Sequence, residues 1–185
     1  MRPLVILDRD GVINYDSDEY IKSPQEWQPI EGSLEAIARL NHADFRVAVA
    51  TNQSGLARKL FTMDTLVDIH NKMHKLVNEA GGRLDAIAFC PHAPRHDCEC
   101  RKPKPGMLID LAQRFNIQLS NIYIIGDSLR DLQAAAAVNA RPILVRSGNG
   151  EKTVSILEES GLGNVPVFDD LAAAADYLLV AGQDY

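Results

Sequence analysis

Cysteine is scarce in this chain and unevenly placed: three residues in 185, all between Cys90 and Cys100. An odd number crowded into one short stretch excludes a disulfide framework and suits a metal site instead. Positive charge is also in short supply, 19 Lys and Arg against 25 Asp and Glu, for a net charge of -6. That balance argues against a nucleic-acid or membrane-surface protein, both of which want basic patches, so an anionic ligand must be met by a local cluster of cations. No apolar run approaches the roughly 20 residues of a membrane-spanning helix, and the first residues lead straight into a charged segment without a signal-peptide pattern. A cytoplasmic location is therefore expected, with no nucleic-acid or membrane partner. No internal repeat and no low-complexity linker divides the sequence, and its length matches one core, so a single domain over residues 1–185 is expected. A monomer is the working expectation, although no residue pattern reads out oligomeric state.

What is present is a regular alternation of strand and helix patterns. The apolar run Leu4 to Leu7 reads as a strand buried on both faces, and it ends at Asp8-Arg9-Asp10-Gly11. Further strands are read at Phe45–Ala50, Ala86–Phe89, Asn121–Ile125 and Arg141–Val145, with a short sixth over Val165–Phe168. Helical spacing marks Leu34–Asn41 with Ser33 as its cap, Met63–Glu79 with Thr62 as its cap and Gly81-Gly82 as its stop, Gly106–Phe115, Leu129–Val138 and Leu171–Val180. The stretch from Asn14 to Pro29 is polar and aperiodic and reads as a loop. This order predicts an α/β fold, a three-layer sandwich around a mainly parallel sheet. The insertions after the first and third strands are too short to form a cap domain. His70 and His74 lie one turn apart on the second helix, with no acidic or cysteine partner nearby, and are read as a solvated face rather than a metal pair.

Polar groups cluster at the ends of three strands: Asp8 and Asp10, then Thr51 and Asn52, then Asp127 with Asp131 four residues on. In open α/β sheets ligands bind at the carboxyl ends of the strands. A carboxylate there can attack phosphorus, and magnesium, a hard cation that prefers oxygen ligands, suits Asp8, Asp127 and a backbone carbonyl. Asp131, one helical turn beyond Asp127, can cap or pair instead of binding metal. Arg9, Arg58, Lys59, Arg101, Lys102 and Lys104 lie beside these motifs and offer the cations that a polyanion needs.

In order, Asp8-Arg9-Asp10-Gly11-Val12, Thr51-Asn52, Lys102 and Gly126-Asp127 with Asp131 resemble the four motifs of the haloacid dehalogenase-like (HAD) phosphatases. The resemblance spans nearly the whole chain. It implies a phosphoric monoester hydrolase with Asp8 as nucleophile, Asp10 as general acid and base, Thr51 as a phosphate ligand and Lys102 as the stabilising cation. It also implies magnesium held by Asp8, Asp10 through its carbonyl, and Asp127.

Cys90-Pro91-His92 followed by Cys98-Glu99-Cys100 supplies three thiolates and an imidazole, enough to close a tetrahedral zinc shell. A closed shell leaves no position for water, so the zinc is read as structural. His96 competes with His92 for the fourth place, and the tight Cys-x-His pair favours His92. This loop runs directly into Arg101-Lys102-Pro103. Together with Thr51-Asn52-Gln53-Ser54-Gly55-Leu56-Ala57-Arg58, it is similar to the D-glycero-D-manno-heptose 1,7-bisphosphate 7-phosphatases, which implies a sugar bisphosphate substrate. The bacterial histidinol-phosphate phosphatases share the zinc loop and remain the alternative. A module that binds a sugar phosphate without hydrolysing it is a more distant one. The resemblance further implies that Asn52, Gln53, Ser54, Arg101, Asp18 and Tyr20 border the sugar and its second phosphate. The sequence departs from the family at Ser128, where lysine is common.

Overall fold

The computed structural model describes residues 2–181. Among them, six parallel strands form one sheet in the order β3-β2-β1-β4-β5-β6. The strands are β1 (Leu4–Leu7), β2 (Arg46–Asn52), β3 (Ala86–Cys90), β4 (Ile122–Gly126), β5 (Arg141–Val145) and β6 (Val167–Phe168). The helices are α1 (Ser33–His42), α2 (Met63–Glu79), α3 (Gly106–Phe115), α4 (Leu129–Ala136), α5 (Gly150–Val154) and α6 (Leu171–Ala181).

Side-chain parity on β1 decides the layering. Val5 and Leu7 point to one face, where they meet Ile37 and Leu40 of α1, Ile69 and Met73 of α2, and Ala174 and Leu178 of α6. Leu4 and Ile6 point to the other, against Leu108 and Leu111 of α3 and Ala134 and Ala135 of α4. All four residues are fully buried, as a central strand covered on both sides requires. At about 1.5–3 kcal/mol for each large apolar side chain removed from water, β1 and its two helical layers anchor the fold. The three-layer α/β sandwich with a parallel sheet is therefore the observed architecture.

Several local readings change. Ser33 does not cap α1; Gly32 occupies that position with φ 80°, and the Ser33 hydroxyl donates to the Ile13 carbonyl at 2.7 Å, fastening the first loop to the helix. Thr62 does cap α2, its Oγ1 accepting from the Thr65 amide at 3.2 Å. β2 continues past Ala50 through Thr51 and Asn52, because both pair with β3 at Phe89 and Cys90. The short helix α5 was not foreseen, and β6 is confined to two residues. No described helix is long and apolar enough to cross a membrane.

Candidate active site

The chain lays β2 and β3 on one side of β1, then crosses to place β4 on the other. Strand order reverses between β1 and β4, and that is where such sheets leave a crevice at their carboxyl ends. Asp8 follows β1 and Asp127 follows β4, with the Asp8 amide donating to the Ile125 carbonyl at 2.9 Å. A cleft of about 330 Å³ opens here. Asp8, Asp10, Thr51, Lys102 and Asp127 line it, as do Tyr20, Asn52, Gln53, Ser54 and Arg101. Asp18 does not: it is exposed, and Asp16, Ser17 and Tyr20 supply that wall instead.

Lys102 is the electrostatic centre of the cleft. Its Nζ is 3.0 Å from Asp8 Oδ1 and 2.6 Å from Asp131 Oδ1, and it donates to the Ala50 carbonyl at 2.7 Å. Asp131 is doubly engaged, because its other oxygen accepts from the Ser128 amide at 3.0 Å and the Ser128 hydroxyl at 2.5 Å, capping α4. Oxygens of Asp8, Asp127 and Asp131 all lie within 4.8 Å of one another. One ammonium against three carboxylates, two of them buried and Asp8 partly so, leaves the cluster overloaded with negative charge. Burial drives the Asp8 carboxyl well above the usual range, with Lys102 opposing and the neighbouring carboxylates adding to it. Burial and then Asp131 push Asp127 up to about 7. Asp131 itself is held low, since Lys102 and the Ser128 donors outweigh its burial. An all-oxygen donor set with unbalanced anionic charge fits a small divalent cation. The backbone makes room for it: Gly11 at φ 82° and Gly148 at φ 60° flank Asp127, and a Cβ on either would collide with that carboxylate.

Asp10 has a different environment. Arg9 is fully buried and grips it through Nε to Oδ1 and Nη2 to Oδ2, both at 3.0 Å. Asn14 Nδ2 and Gln53 Nε2 each add a hydrogen bond at 2.9 Å. Burial raises the Asp10 carboxyl, but Arg9 and these amides more than offset it and the net shift is downward. Arg9 is thus committed to Asp10 and is not a cation for a ligand. His70 completes the set, with Nε2 3.4 Å from Arg9 Nη1. The solvated-face reading of His70 is corrected: burial, then Arg9, bring its pKa down to about 3, so the ring is neutral and presents a lone pair to the guanidinium. Lys59 and Lys104 also leave the cation set. Lys59 is exposed outside the cleft, and Lys104 pairs with Asp97 at 2.8 Å and Glu99 at 3.0 Å.

The amides along the β2 tip serve mainly to position. Asn52 brackets the Lys102 backbone, its Nδ2 donating to the Lys102 carbonyl and its Oδ1 accepting from the Lys102 amide, each at 3.1 Å. Gln53 Nε2 bridges Asp10 and Thr51 Oγ1. Cys90, His92, Cys98 and Cys100 converge: the three sulfur separations are 3.1–3.5 Å, and His92 Nδ1 is 3.4 Å from Cys100 Sγ. None of the thiols is in a disulfide. The edge of a tetrahedral thiolate zinc site is about 3.8 Å for Zn–S bonds near 2.3 Å; the sulfurs stand a few tenths of an ångström inside that edge, and three thiols with an imidazole are a donor set whose chemistry suits that ion. His96 turns away from this role, because its Nδ1 accepts from the Ala93 amide at 3.1 Å. The Arg101 guanidinium donates to the His92 carbonyl at 3.1 Å, so the cysteine loop holds a cleft cation directly.

Sequence reasoning passed over the segment after β5. There the Asn149 amide donates to Asp127 at 2.7 Å, the Thr153 hydroxyl to the Asp127 carbonyl at 2.9 Å, and the Ser147 hydroxyl to the Gly11 carbonyl at 2.7 Å. The signal was the polar, glycine-bearing run Ser147-Gly148-Asn149-Gly150 at a strand's carboxyl end. Arg130, which also lines the cleft, was likewise missed.

Residues 99–174 match the model of the HAD-hydrolase-like family. The chain is 55% identical over 177 residues to a D-glycero-β-D-manno-heptose-1,7-bisphosphate 7-phosphatase of Bordetella bronchiseptica, covering 95% of this chain and 97% of that one. It is 52% identical over 176 residues to the like-named protein of Neisseria meningitidis serogroup A, covering 95% and 94%. Among solved structures, the D,D-heptose 1,7-bisphosphate phosphatase of B. bronchiseptica, complexed with magnesium and phosphate, superposes with a TM-score of 0.92 at 54% identity. That alignment covers 97% of this chain and 99% of the other. The Burkholderia thailandensis counterpart gives 0.73 at 48% identity, over 95% and 98%. Ordered acids at a strand-order reversal, a lysine between them and relatives matched over almost their full length lead to one assignment: the chain belongs to the heptose-1,7-bisphosphate 7-phosphatase family of HAD-like hydrolases.

Proposed function

We propose that this protein removes the 7-phosphate of D-glycero-β-D-manno-heptose 1,7-bisphosphate through a covalent phospho-Asp8 intermediate. The observation that carries the mechanism is the unequal treatment of two neighbouring acids, Asp8 against Lys102 in the anionic cluster and Asp10 clamped by Arg9. Asp8 attacks phosphorus while the bond to the sugar oxygen breaks, and Asp10 delivers its proton to that oxygen. Asp10 then takes a proton from water, whose oxygen attacks the phosphoryl group and frees Asp8. The carboxyl of Asp10 must carry a proton for the first step. Its hydrogen bonds favour the anion, so the negative charge of the phosphate dianion entering the cleft has to raise the affinity of Asp10 for a proton drawn from solvent. Thr51 and Lys102 line the same cleft, and in this reading they hold the phosphoryl oxygens.

Asp8, Asp127 and the Asp10 carbonyl would hold magnesium, which neutralises charge on the transferring phosphoryl group. Cys90, His92, Cys98 and Cys100 would hold a structural zinc, keeping Arg101 at the cleft. A cytoplasmic location suits a soluble sugar bisphosphate as substrate. The test is steady-state phosphate release from both heptose bisphosphate anomers and from histidinol phosphate, with magnesium present. Turnover of the heptose bisphosphate at least tenfold more efficient than that of histidinol phosphate supports the proposal; the reverse order, or no release, overturns it.

A further inference from the structure

Arg9 is fully buried, so its guanidinium nitrogens must find acceptors inside the protein. Two of the three are spent on the adjacent acid, Nε on Asp10 Oδ1 and Nη2 on Asp10 Oδ2. The third, Nη1, faces His70 Nε2 at 3.4 Å, and among the described residues no other acceptor is bonded to it. An imidazole nitrogen that close to a guanidinium serves as an acceptor, with the ring proton on Nδ1. Because Arg9 and Asp10 are chain neighbours, their fork fixes each relative to the other without registering the pair against the rest of the fold. Asn14 and Gln53 also bond the Asp10 carboxyl, but both belong to the segments that follow β1 and β2. His70 alone ties the pair to a long helix. That helix, α2, is seated on the sheet through the buried Ile69 and Met73, and the His70 ring stands edge-on to Phe89 of β3, with centroids 6.2 Å apart. A side chain locked in this way can hold the orientation of another that does chemistry.

We infer that His70 is a positioning residue for the proton transfers of Asp10: by accepting from Arg9 Nη1 it fixes the guanidinium whose fork sets the orientation of the Asp10 carboxyl. The inference rests on the phospho-Asp8 reading above, in which Asp10 protonates the departing sugar oxygen. It adds a side chain that does not line the cleft and reaches the reaction only through Arg9.

The experiment reads the dependence on the leaving group. Heptose 1,7-bisphosphate expels a sugar oxygen that needs a proton, whereas p-nitrophenyl phosphate expels a phenolate that leaves without one, and kcat/KM reports the first phosphoryl transfer from each. With magnesium present, His70→Leu is expected to lower the ratio of kcat/KM for heptose bisphosphate over p-nitrophenyl phosphate about tenfold, with the loss on the sugar substrate carried by kcat. His70→Gln keeps an oxygen that can accept from Arg9 Nη1 and is expected to recover most of that ratio. Asp10→Asn sets the scale, lowering the ratio further. Should His70→Leu fail to fold, His70→Ala carries the same reading. With the wild type hydrolysing the bisphosphate, an unchanged ratio, a loss confined to KM, or equal losses in His70→Leu and His70→Gln overturns the inference alone. An unchanged ratio in Asp10→Asn, or a wild type that releases no phosphate from the bisphosphate, overturns the mechanism above and the inference with it.

Discussion

Asp8 and Asp10 are separated by one residue, yet their surroundings push them in opposite directions, Asp8 toward the neutral acid and Asp10 toward the anion. Replacing Asp8 by its neutral isostere therefore separates chemistry from folding. Asp8→Asn is expected to lower kcat by roughly three orders of magnitude or more, as removal of a covalent nucleophile does. In metal-free buffer its melting temperature should be no lower than that of the wild type, because one charge leaves an overloaded cluster. Turnover within tenfold of wild type would displace Asp8 from the nucleophile role. His70 offers a pH signature. Its folded value near 3 lies below the ordinary 6.5, so its stabilising contribution is complete above about pH 6.5 and is lost as pH falls toward 3. By pH 5 that loss reaches about 2 kcal/mol, at about 1.4 kcal/mol per unit. Urea unfolding of His70→Gln between pH 6.5 and 5 should show a stability slope shallower by that amount, and equal slopes would refute the neutral-ring arrangement. Asp8, Asp10, Thr51 and Asp127 were legible as cleft residues because strand ends announce them, and Lys102 because the cysteine loop runs directly into it. The roles of Arg9 and His70 were not, since the helix that carries His70 meets Arg9 only through the packing of α2 against the sheet.

At the scale of elements, the cysteine loop was readable and the turn after β5 was not. Spacing alone brings Cys90, His92, Cys98 and Cys100 to one point, and it rests on a chemical preference that needs no tertiary context. The expected outcome is about one zinc per chain by metal analysis. Chelation should lower kcat/KM more for the bisphosphate than for p-nitrophenyl phosphate, because Arg101 is released along with the loop. Equal losses on the two substrates would separate the loop from substrate recognition. The Ser147–Gly150 turn carries no acidic, cysteine or cationic residue, only a polar, glycine-bearing run whose role lies in backbone shape. Gly148, with positive φ and no room for a Cβ beside Asp127, is the point to probe. Gly148→Ala should weaken magnesium activation at least about tenfold, read as the magnesium concentration giving half-maximal rate, while zinc content stays at the wild-type level. Magnesium titration curves that coincide for the two proteins would remove Gly148 from any part in shaping that site.

At the scale of the molecule, alternating strand and helix patterns were enough to predict a layered parallel sheet, because buried strands and amphipathic helices have different periods. Strand order was not legible. Nothing in Leu4–Leu7 or Ile122–Gly126 alone states that these two runs become neighbours, since each is simply an apolar strand. That pairing nevertheless builds the acidic crevice, with Asp8 at one strand tip and Asp127 at the other, far apart along the chain. The consequence is kinetic. A chain that has assembled β1, β2 and β3 but not β4 has only Asp8 of the two carboxylates proposed to hold magnesium, so on that proposal the ion binds tightly only once the sheet is complete. If β4 docks after the rate-limiting barrier, bound magnesium should slow unfolding and leave the folding rate almost unchanged. Chevron plots recorded with and without magnesium read this directly: the unfolding arm is expected to drop while the folding arm superimposes, and a shift confined to the folding arm would place β1–β4 pairing before the barrier. The ion that serves the chemistry would then also act as a latch on the finished sheet.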